Sequence, residues 1–248
     1  MLSKNQIKKL RGLQRKKERM RSGLYVIEGK TIVQEMIVDS DLWVELYATS
    51  KWFDNYPKYS NLANTFEITD KDLAMISSFK TPNEVLLLMR QKTDTDFSDV
   101  QSSDLILALD GINDPGNMGA MIRLADWFGV QHILCSSDSV DQYNPKTIQS
   151  AMGSINRVQV YYGDLTQMLG SLKSHKIYAC DLEGESIYDQ LFVKKAVIVM
   201  GSESHGLSCE VLNHVHEKIK IPSASSSSID SLNVASAAAI SLSVFRSK

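Results

Sequence analysis

The sequence predicts an α/β fold in two domains, the second of them built on a parallel sheet. Wholly apolar runs of strand length occur at Val85–Met89, Leu105–Leu109 and Ala196–Met200, as is typical of strands buried on both faces. Helical segments alternate with strands along the second half, which indicates parallel strands joined by right-handed crossovers. Between the halves, residues 91–103 are polar and almost free of aliphatic side chains, which is the composition of a linker.

Composition places the chain among ordinary globular proteins. With 248 residues, 43% of them hydrophobic and 23% charged, the chain can bury a full core in one or two domains. No apolar run approaches the roughly eighteen residues that span a membrane, and the first residues do not resemble a signal peptide. The three cysteines are widely spaced without a C-x-x-C pair. This pattern predicts a cytoplasmic protein with neither disulfides nor a metal site.

The net charge of −2 hides a basic N-terminal segment. Residues 1–21 hold nine Lys/Arg and one acid, whereas the rest of the chain has an excess of ten acidic side chains. The segment has the pattern of a helix with a possible capping box at Ser3 and Gln6 and with apolar residues on one face. A basic arm on an acidic body suggests a polyanionic partner, although a solubilising helix face would have the same pattern.

Residues 1–92 are predicted to form a smaller α/β domain, followed by a linker at 93–103 and a second domain at 104–248. In the first domain, short strands alternate with amphipathic helices, and the last strand is apolar throughout. The predicted strands are Leu24–Ile27, Val44–Ala48, Phe66–Ile68 and Val85–Met89, and the predicted helices are Thr31–Val38 and Asp70–Ser77.

The second domain opens with the most informative stretch, Leu105–Gly129. A buried strand, a polar loop and an amphipathic helix from about Met118 to Phe128 follow one another, an arrangement that gathers backbone N–H groups around a ligand. The spacing matches neither G-x-G-x-x-G nor the phosphate-binding P-loop. Asn117 at the helix start and Arg123 inside the helix are polar residues that packing does not require. Each alone could be an N-cap or a solvated cation; as a pair they favour a functional site.

Two further motifs follow along the chain. Gly201–Gly206 comes after a buried strand, and it places the Glu203 carboxylate at the end of a sheet where ligands usually bind. Ser231–Ala237 precedes a helix of small apolar residues. The remaining predicted strands are Ile133–Cys135, Arg157–Tyr161 and Ile177–Cys180, and the remaining helices are one from about Pro145, Leu165–Leu172 and Ala235–Phe245.

Together the three motifs resemble those of the SpoU (TrmH-like) RNA 2'-O-ribose methyltransferases, a branch of the SPOUT superfamily. N-D-P-x-N-x-G-x-x-x-R at 113–123 is similar to motif 1, G-x-E-x-x-G at 201–206 to motif 2, and S-L-N-V at 231–234 to motif 3. They occur in the order that the family requires, and the match covers nearly the whole chain. The resemblance implies a deep trefoil knot in the second domain and an L30e-like fold that grips RNA in the first.

The resemblance also implies the chemistry, which is transfer of a methyl group from S-adenosylmethionine to a ribose 2'-OH. The implied catalytic residues are Asn117, Arg123, Glu203, Ser231 and Asn233, and the implied cofactor-binding residues are Leu182, Gly201, Ile221 and Leu232. In the family account Arg123 activates the hydroxyl. Because a guanidinium is a poor base, binding a phosphate and stabilising a developing alkoxide is the better physical role. Ser231 is expected to cap the final helix.

The expected partners are RNA and a second copy of the chain, with no DNA and no membrane. Ribosomal RNA is favoured over transfer RNA because the extra N-terminal domain resembles the ribosome-modifying members of the family. A non-catalytic RNA-binding protein on the same fold is the main alternative. A Rossmann-type enzyme is disfavoured, because it would need the glycine-rich G-x-G-x-x-G loop after its first strand. An L30e-like ribosomal or scaffolding role would explain only the first half of the chain.

One loop departs from the family pattern. The family typically has a glycine three residues after the proline that corresponds to Pro222, and it reaches the serine of S-L-N at seven. Here Ser225 occupies the glycine position, and Ser231 lies nine residues after Pro222. Four consecutive serines, Ser225–Ser228, predict a solvated loop whose ordering costs about 1–2 kcal/mol per residue. The sequence therefore predicts weak binding of S-adenosylmethionine unless RNA is present.

Overall fold

The structure is a computed structural model that describes residues 1–92, 97–224 and 231–247. The chain forms two compact units. The first comprises Met1–Asp94 and Tyr143–Asn156, and the second comprises Thr95–Gln142 and Arg157–Lys248. The prediction places all of 104–248 in the second domain. In the structure, residues 143–156 belong to the first unit instead.

The first unit is built on a four-stranded mixed sheet in the order β1-β4-β2-β3. The second and third strands are parallel, and the fourth runs antiparallel to both of its neighbours. The strands are β1 (Leu24–Glu28), β2 (Trp43–Ala48), β3 (Thr65–Glu67) and β4 (Val85–Arg90). The helices of residues 1–92 are α1 (Lys4–Gly12), α2 (Lys16–Ser22), α3 (Lys30–Asp39), α4 (Ser50–Asn55) and α5 (Asp70–Ile76), with a 3-10 turn at Pro57–Tyr59.

The basic N-terminal segment folds as two helices. The predicted capping box is present, because the Gln6 N–H donates to Ser3 Oγ at 3.2 Å and the Ser3 N–H donates to Gln6 Oε1 at 2.9 Å. Leu10 and Leu13 are buried in the core of the unit, so the segment is part of the fold. Arg19 is only 2% exposed, and its guanidinium donates to the Leu13 carbonyl at 2.8 Å. Arg19 is therefore a structural residue.

The second unit contains a six-stranded sheet in the order β10-β8-β9-β5-β6-β7, in which every pair is parallel. The predicted α/β fold with a parallel sheet is confirmed. The strands are β5 (Leu105–Leu109), β6 (His132–Ser136), β7 (Gln159–Gly163), β8 (Lys176–Ser186), β9 (Ala196–Met200) and β10 (Glu217–Lys220). The helices after residue 97 are α6 (Ser98–Ser102), α7 (Pro115–Trp127), α8 (Pro145–Ala151), α9 (Ser154–Arg157), α10 (Leu165–Ser171), α11 (Cys209–Leu212) and α12 (Val234–Ser247).

Two of the differences from the prediction concern the kind of element that a segment forms. Arg157 was expected to begin a strand, but it ends α9 and its guanidinium pairs with Asp126 at 2.8 Å. A four-residue helix is too short to show a helical period in the sequence. The alternating valines that follow Arg157 are typical of a strand, and the prediction therefore extended the strand back to Arg157. Part of the stretch predicted as a linker forms α6, and its Val100 is fully buried in the core of the second unit.

Within the ranges that the structure describes, no helix is long and apolar enough to cross a membrane. The same residues contain no group of three or more His, Cys, Asp or Glu side chains that could hold a metal ion.

Candidate active site

The first two motifs meet at one edge of the second sheet. Strands β5 and β9 are parallel neighbours, so their carboxyl ends lie side by side. The Asp110 N–H donates to the Met200 carbonyl at 2.9 Å, which joins the residues where the two strands end. Motif 1 begins three residues after Asp110, and motif 2 begins directly after Met200. This edge is the usual ligand side of a parallel sheet.

Helix α7 begins at Pro115, three residues earlier than predicted. Asp114 is its N-cap, because the carboxylate accepts the Asn117 N–H at 2.8 Å, and Pro115 occupies the first helical position, where its missing N–H has no cost. The alternative that Asn117 is the N-cap is therefore wrong. Since Asp114 performs the capping, the Asn117 side-chain amide is available for other contacts.

Motif 2 forms a tight loop that two glycines make possible. Ser202 and Gly206 exchange two backbone hydrogen bonds, of 3.0 and 2.9 Å, and Gly206 has a left-handed φ of +67°. A Cβ atom at Gly201 would lie 2.3 Å from the carbonyl carbon of Gly206, so only glycine fits. The loop holds Glu203 near its tip, where the side chain is exposed.

Glu203 joins the three motifs. Its Oε1 accepts the Asn117 Nδ2–H at 3.2 Å, the Asn233 Nδ2–H at 2.7 Å and the Val234 backbone N–H at 3.2 Å. The Asn233 amide also donates to Asn117 Oδ1 at 3.0 Å. One residue from each motif therefore belongs to a single network, named the three-motif network below. Of the five predicted catalytic residues, the structure brings together Asn117, Glu203 and Asn233.

Asn233 caps helix α12. Its Oδ1 accepts the N–H groups of Ala235 at 3.0 Å and of Ser236 at 3.3 Å. The prediction that Ser231 caps this helix is wrong, because α12 begins at Val234 and the capping position belongs to the residue directly before it. Ser231 is exposed three residues before the helix. Both ends of the Asn233 amide are thus fixed, one by the helix and the other by the three-motif network.

Arg123 is not part of the three-motif network. It lies six residues after Asn117 on α7, which turns its side chain about 240° around the helix. The guanidinium is exposed and makes no hydrogen bond or ion pair with any residue that the structure describes. Trp127, one turn later on the same face, is 82% exposed. Arg123 is therefore free to bind an anionic ligand.

The predicted cofactor residues offer apolar surface at the carboxyl edge of the sheet. Leu182 is 68% exposed, Leu232 is 49% exposed, and Ile221 is half-buried. Leu182 lies in β8, and Ile221 directly follows β10, which pairs with β8. These three aliphatic side chains are therefore available to contact a ligand at this edge of the sheet. The serine-rich loop of motif 3, 225–230, lies outside the described residues.

The two cysteines that are not fully exposed are poorly suited to covalent chemistry. Burial raises the pKa of the Cys180 thiol to about 11, and it raises the pKa of Cys135 further above its ordinary value. Both thiols therefore stay protonated near neutral pH, and the thiolate is the reactive form. Cys209 is exposed and has no disulfide partner.

Sequence reasoning missed the residues that fix the loop after β5. Asp110 is only 9% exposed and accepts two hydrogen bonds from Ser208, each of 2.8 Å. Ser136 Oγ accepts the Gly111 N–H at 2.8 Å, and Ser139 Oγ accepts the Ile112 N–H at 3.1 Å. The signal that was available is an aspartate directly after a wholly buried strand.

Fold, site and sequence comparison together define the class of protein. Residues 104–243 match the SpoU rRNA Methylase family, and residues 4–87 match the MRM3-like substrate binding domain. The chain belongs to the SpoU rRNA methylase family, which confirms the resemblance inferred from the three motifs. Its structural neighbours are SpoU/TrmH methyltransferases, consistent with the trefoil-knot class of fold.

Individual relatives match the chain over nearly its whole length. The chain is 26% identical over 245 residues to the 23S rRNA (guanosine(2553)-2'-O)-methyltransferase RlmP of Bacillus subtilis, covering 96% of this chain and 95% of the relative. A TrmH-family structure from Porphyromonas gingivalis superposes with a TM-score of 0.87 at 31% identity, covering 100% of this chain and 99% of that one. An AdoMet-bound rRNA methyltransferase from Sinorhizobium meliloti shares the fold with a TM-score of 0.87 at 24% identity. The match covers 100% of this chain and 96% of that one.

Proposed function

We propose that this protein is an S-adenosylmethionine-dependent RNA methyltransferase that methylates a ribose 2'-OH, with ribosomal rather than transfer RNA as its substrate. The observation that carries the proposal is the three-motif network, built from motif 1, 2 and 3 residues of a chain that belongs to the SpoU family. The naming of RlmP as a 23S rRNA 2'-O-methyltransferase supports the substrate class.

The proposed cofactor supplies an electrophilic methyl group on its sulfonium. Gly201 and the exposed or half-buried aliphatic side chains at the sheet edge are the residues that would hold it: Leu182, Ile221 and Leu232. The bound AdoMet of the Sinorhizobium meliloti neighbour supports the choice of cofactor. Calorimetric titration of the protein with S-adenosylmethionine tests the proposal against its main alternative. A non-catalytic RNA-binding protein need not bind the cofactor, so heat of binding, alone or with RNA present, favours the enzyme.

The residues of the site then have distinct tasks. Asn117 and Asn233 are held rigidly by Glu203, so they can position the ribose for in-line attack without loss of side-chain freedom. Arg123 binds the neighbouring phosphate and stabilises the negative charge that develops on the 2'-oxygen. Ser231 is proposed to contact the same ribose from the segment before α12.

The basic N-terminal helices are the proposed RNA contact of the first unit. Six of their Lys/Arg side chains are exposed and have no ion pair among the described residues: Lys4, Lys8, Arg11, Arg15, Lys16 and Lys17. Lys4, Lys8 and Arg11 are spaced i, i+4 and i+7, so they share one face of α1, and the buried Leu10 lies on a different face. A row of unpaired cations on a helix anchored in the core is suited to binding phosphates.

Replacing these six cations by glutamine is expected to weaken RNA binding and to reduce its salt dependence. The slope of log K against log salt falls by about 0.7–0.9 for each phosphate that the protein no longer neutralises. Glutamine is preferable to deletion of 1–21, because the deletion would also remove the buried Leu10 and Leu13. The measurement is RNA affinity at several salt concentrations. In a matched comparison, the double variant Lys8→Gln/Arg11→Gln is the test and the double variant Lys71→Gln/Lys80→Gln is the control. An equal slope of log K against log salt for the two would contradict the proposal.

The protein is also proposed to act as a homodimer through α7 and α12. Helix α12 packs on α7, and Arg246 fixes the pair by donating to the carbonyls of Phe128 at 2.6 Å and Gly129 at 2.8 Å. Next to this contact, Trp127 exposes 82% of its surface. Exposed large aromatic side chains of this kind are typical interface anchors.

Trp127→Glu is expected to dissociate the dimer. Each copy would lose burial of an indole and would place a charge in the interface, so we expect the dimer to weaken by at least about 100-fold. Sedimentation equilibrium of the wild type and of Trp127→Glu measures the change in the association constant. Leu191→Glu is the matched control, because Leu191 is 88% exposed in the same unit but lies outside both helices. An unchanged association constant for Trp127→Glu would remove this face from the interface.

A further inference from the structure

The loop that carries Glu203 has two attachments to the sheet. On one side it continues directly from β9 through Gly201, and on the other it leads through Leu207 to Ser208. Between them the loop is closed by the two backbone bonds of Ser202 with Gly206, so it behaves as one small unit. The position of Glu203 therefore depends on how both attachments are held.

Asp110 holds the second attachment. Its Oδ2 accepts both the backbone N–H and the Oγ–H of Ser208, each at 2.8 Å. The two residues are 98 positions apart in the sequence, and the Asp110 side chain is almost wholly buried. A buried carboxylate that accepts two short hydrogen bonds is strongly held, because leaving its donors unpaired would be costly.

Asp110 is itself fixed by the strands on both sides. Its N–H donates to the Met200 carbonyl at 2.9 Å on β9, and the next residue, Gly111, donates to Ser136 Oγ at 2.8 Å at the end of β6. Gly111 has φ +67°, a conformation that lets the chain turn out of the strand directly after Asp110. The aspartate thus connects the rigid end of β5 to the far end of the motif 2 loop.

We propose that Asp110 is a positioning residue for the methyl transfer reaction, acting through Ser208 to hold the motif 2 loop so that Glu203 reaches Asn117 and Asn233. The inference rests on the proposed function and extends it to residues outside the three motifs. Without Asp110 the far end of the loop is held only through Leu207 and α11, whose Val211 packs in the core of the second unit. Ser208 then loses its side-chain partner on β5, and the hydrogen bonds of Glu203 Oε1, at 2.7–3.2 Å, have to hold a loop that is less firmly placed.

The first test compares Asp110→Ala with Asp110→Asn by kcat and KM. The alanine variant is expected to lower kcat per cofactor-binding site by about 10- to 100-fold with little change in KM for RNA, because misplacement of the network by about 1 Å has effects of this size. The asparagine variant keeps an oxygen that can accept both bonds, so its kcat should stay within about threefold of the wild type. Ser208→Ala loses only the hydroxyl bond and should fall between them.

Asp164→Ala is the matched control. Asp164 also follows a strand of this sheet and accepts the Thr166 N–H at 3.0 Å, the Gln167 N–H at 3.2 Å and the Thr166 Oγ–H at 2.6 Å, but it has no link to motif 2. A merely structural role for Asp110 would lower the melting temperature in both variants and would leave kcat per binding site unchanged. An equal loss of kcat in Asp164→Ala and Asp110→Ala would overturn the inference.

Hydrogen exchange provides a readout that does not depend on activity. In Asp110→Ala, the backbone amides of 202–208 should exchange at least about tenfold faster than in the wild type, while those of β5 stay protected. Unchanged exchange in this segment would overturn the inference. If the segment exchanges faster in Asp110→Ala but the wild type methylates no RNA, the proposed function fails and the role of Asp110 in holding the loop stands. Should Asp110→Ala not fold, the same exchange measurement on Ser208→Ala decides the question.

Discussion

Arg123→Ala is expected to abolish methyl transfer, lowering kcat by at least about a thousandfold, while the affinity for S-adenosylmethionine stays within a few fold of the wild type. The reason is that Arg123 is exposed and unpaired among the described residues and is proposed to bind RNA phosphate rather than cofactor. Stabilisation of developing charge at a reacting oxygen typically contributes about 10²–10³ in rate, and loss of phosphate alignment adds to this. The measurement is single-turnover methylation together with calorimetric cofactor binding.

Two further variants sharpen the Arg123 result. Arg123→Lys should not rescue activity, because an ammonium lacks the planar fork that binds a phosphate through two parallel hydrogen bonds. Lys173→Ala removes an exposed cation from the same unit and should leave kcat unchanged. Near wild-type turnover in either Arg123 variant would remove this residue from the reaction.

Glu203→Ala is expected to lower kcat by about a hundredfold or more. Its carboxylate is the common acceptor for the amides of Asn117 and Asn233 and for the Val234 N–H, so its removal leaves both asparagines free to rotate. Glu203→Gln retains an oxygen that can accept the same three donors, so it should keep a substantial fraction of the activity. Stability should change little, because the side chain is exposed.

The control for Glu203 is Glu210→Ala, which removes an exposed carboxylate seven residues later in the same unit. We expect it to have wild-type kcat and KM. If Glu203→Ala keeps full activity, or if Glu210→Ala loses as much, the three-motif network has no part in the reaction. Steady-state methylation of the same RNA by the variants, each corrected for its number of cofactor-binding sites, makes the comparison.

Regular, apolar or conformationally demanding stretches were predictable from the sequence. The runs Leu105–Leu109 and Ala196–Met200 are strands with the predicted bounds, because wholly apolar segments of this length have few other places in a parallel sheet. Gly129 follows α7 with φ +67°, the left-handed conformation that glycine commonly adopts at a helix end. The capping box of Ser3 and Gln6 is present for the same kind of local reason.

What depends on contacts between distant residues was not predictable. Nothing in the sequence shows that Asp110 meets Ser208 or that Arg19, in a run of solvated cations, is buried against the Leu13 carbonyl. Helix boundaries were also uncertain by a few residues, which was enough to assign the cap of α12 to Ser231 instead of Asn233. Local sequence preferences decide whether a segment forms a helix or a strand. The hydrogen-bond partners of a side chain depend instead on which strands become neighbours in the folded sheet.

Incubation of the purified protein with labelled S-adenosylmethionine and with ribosomal RNA from a strain that lacks its gene tests the proposed activity most directly. We predict incorporation of one methyl group at a single nucleotide, recovered after nuclease digestion as a 2'-O-methylated nucleoside, and no incorporation with Arg123→Ala. Transfer RNA from the same strain should accept none. Failure to bind S-adenosylmethionine in the presence of this RNA, or recovery of the methyl group on a base instead of the ribose, would contradict the proposed function.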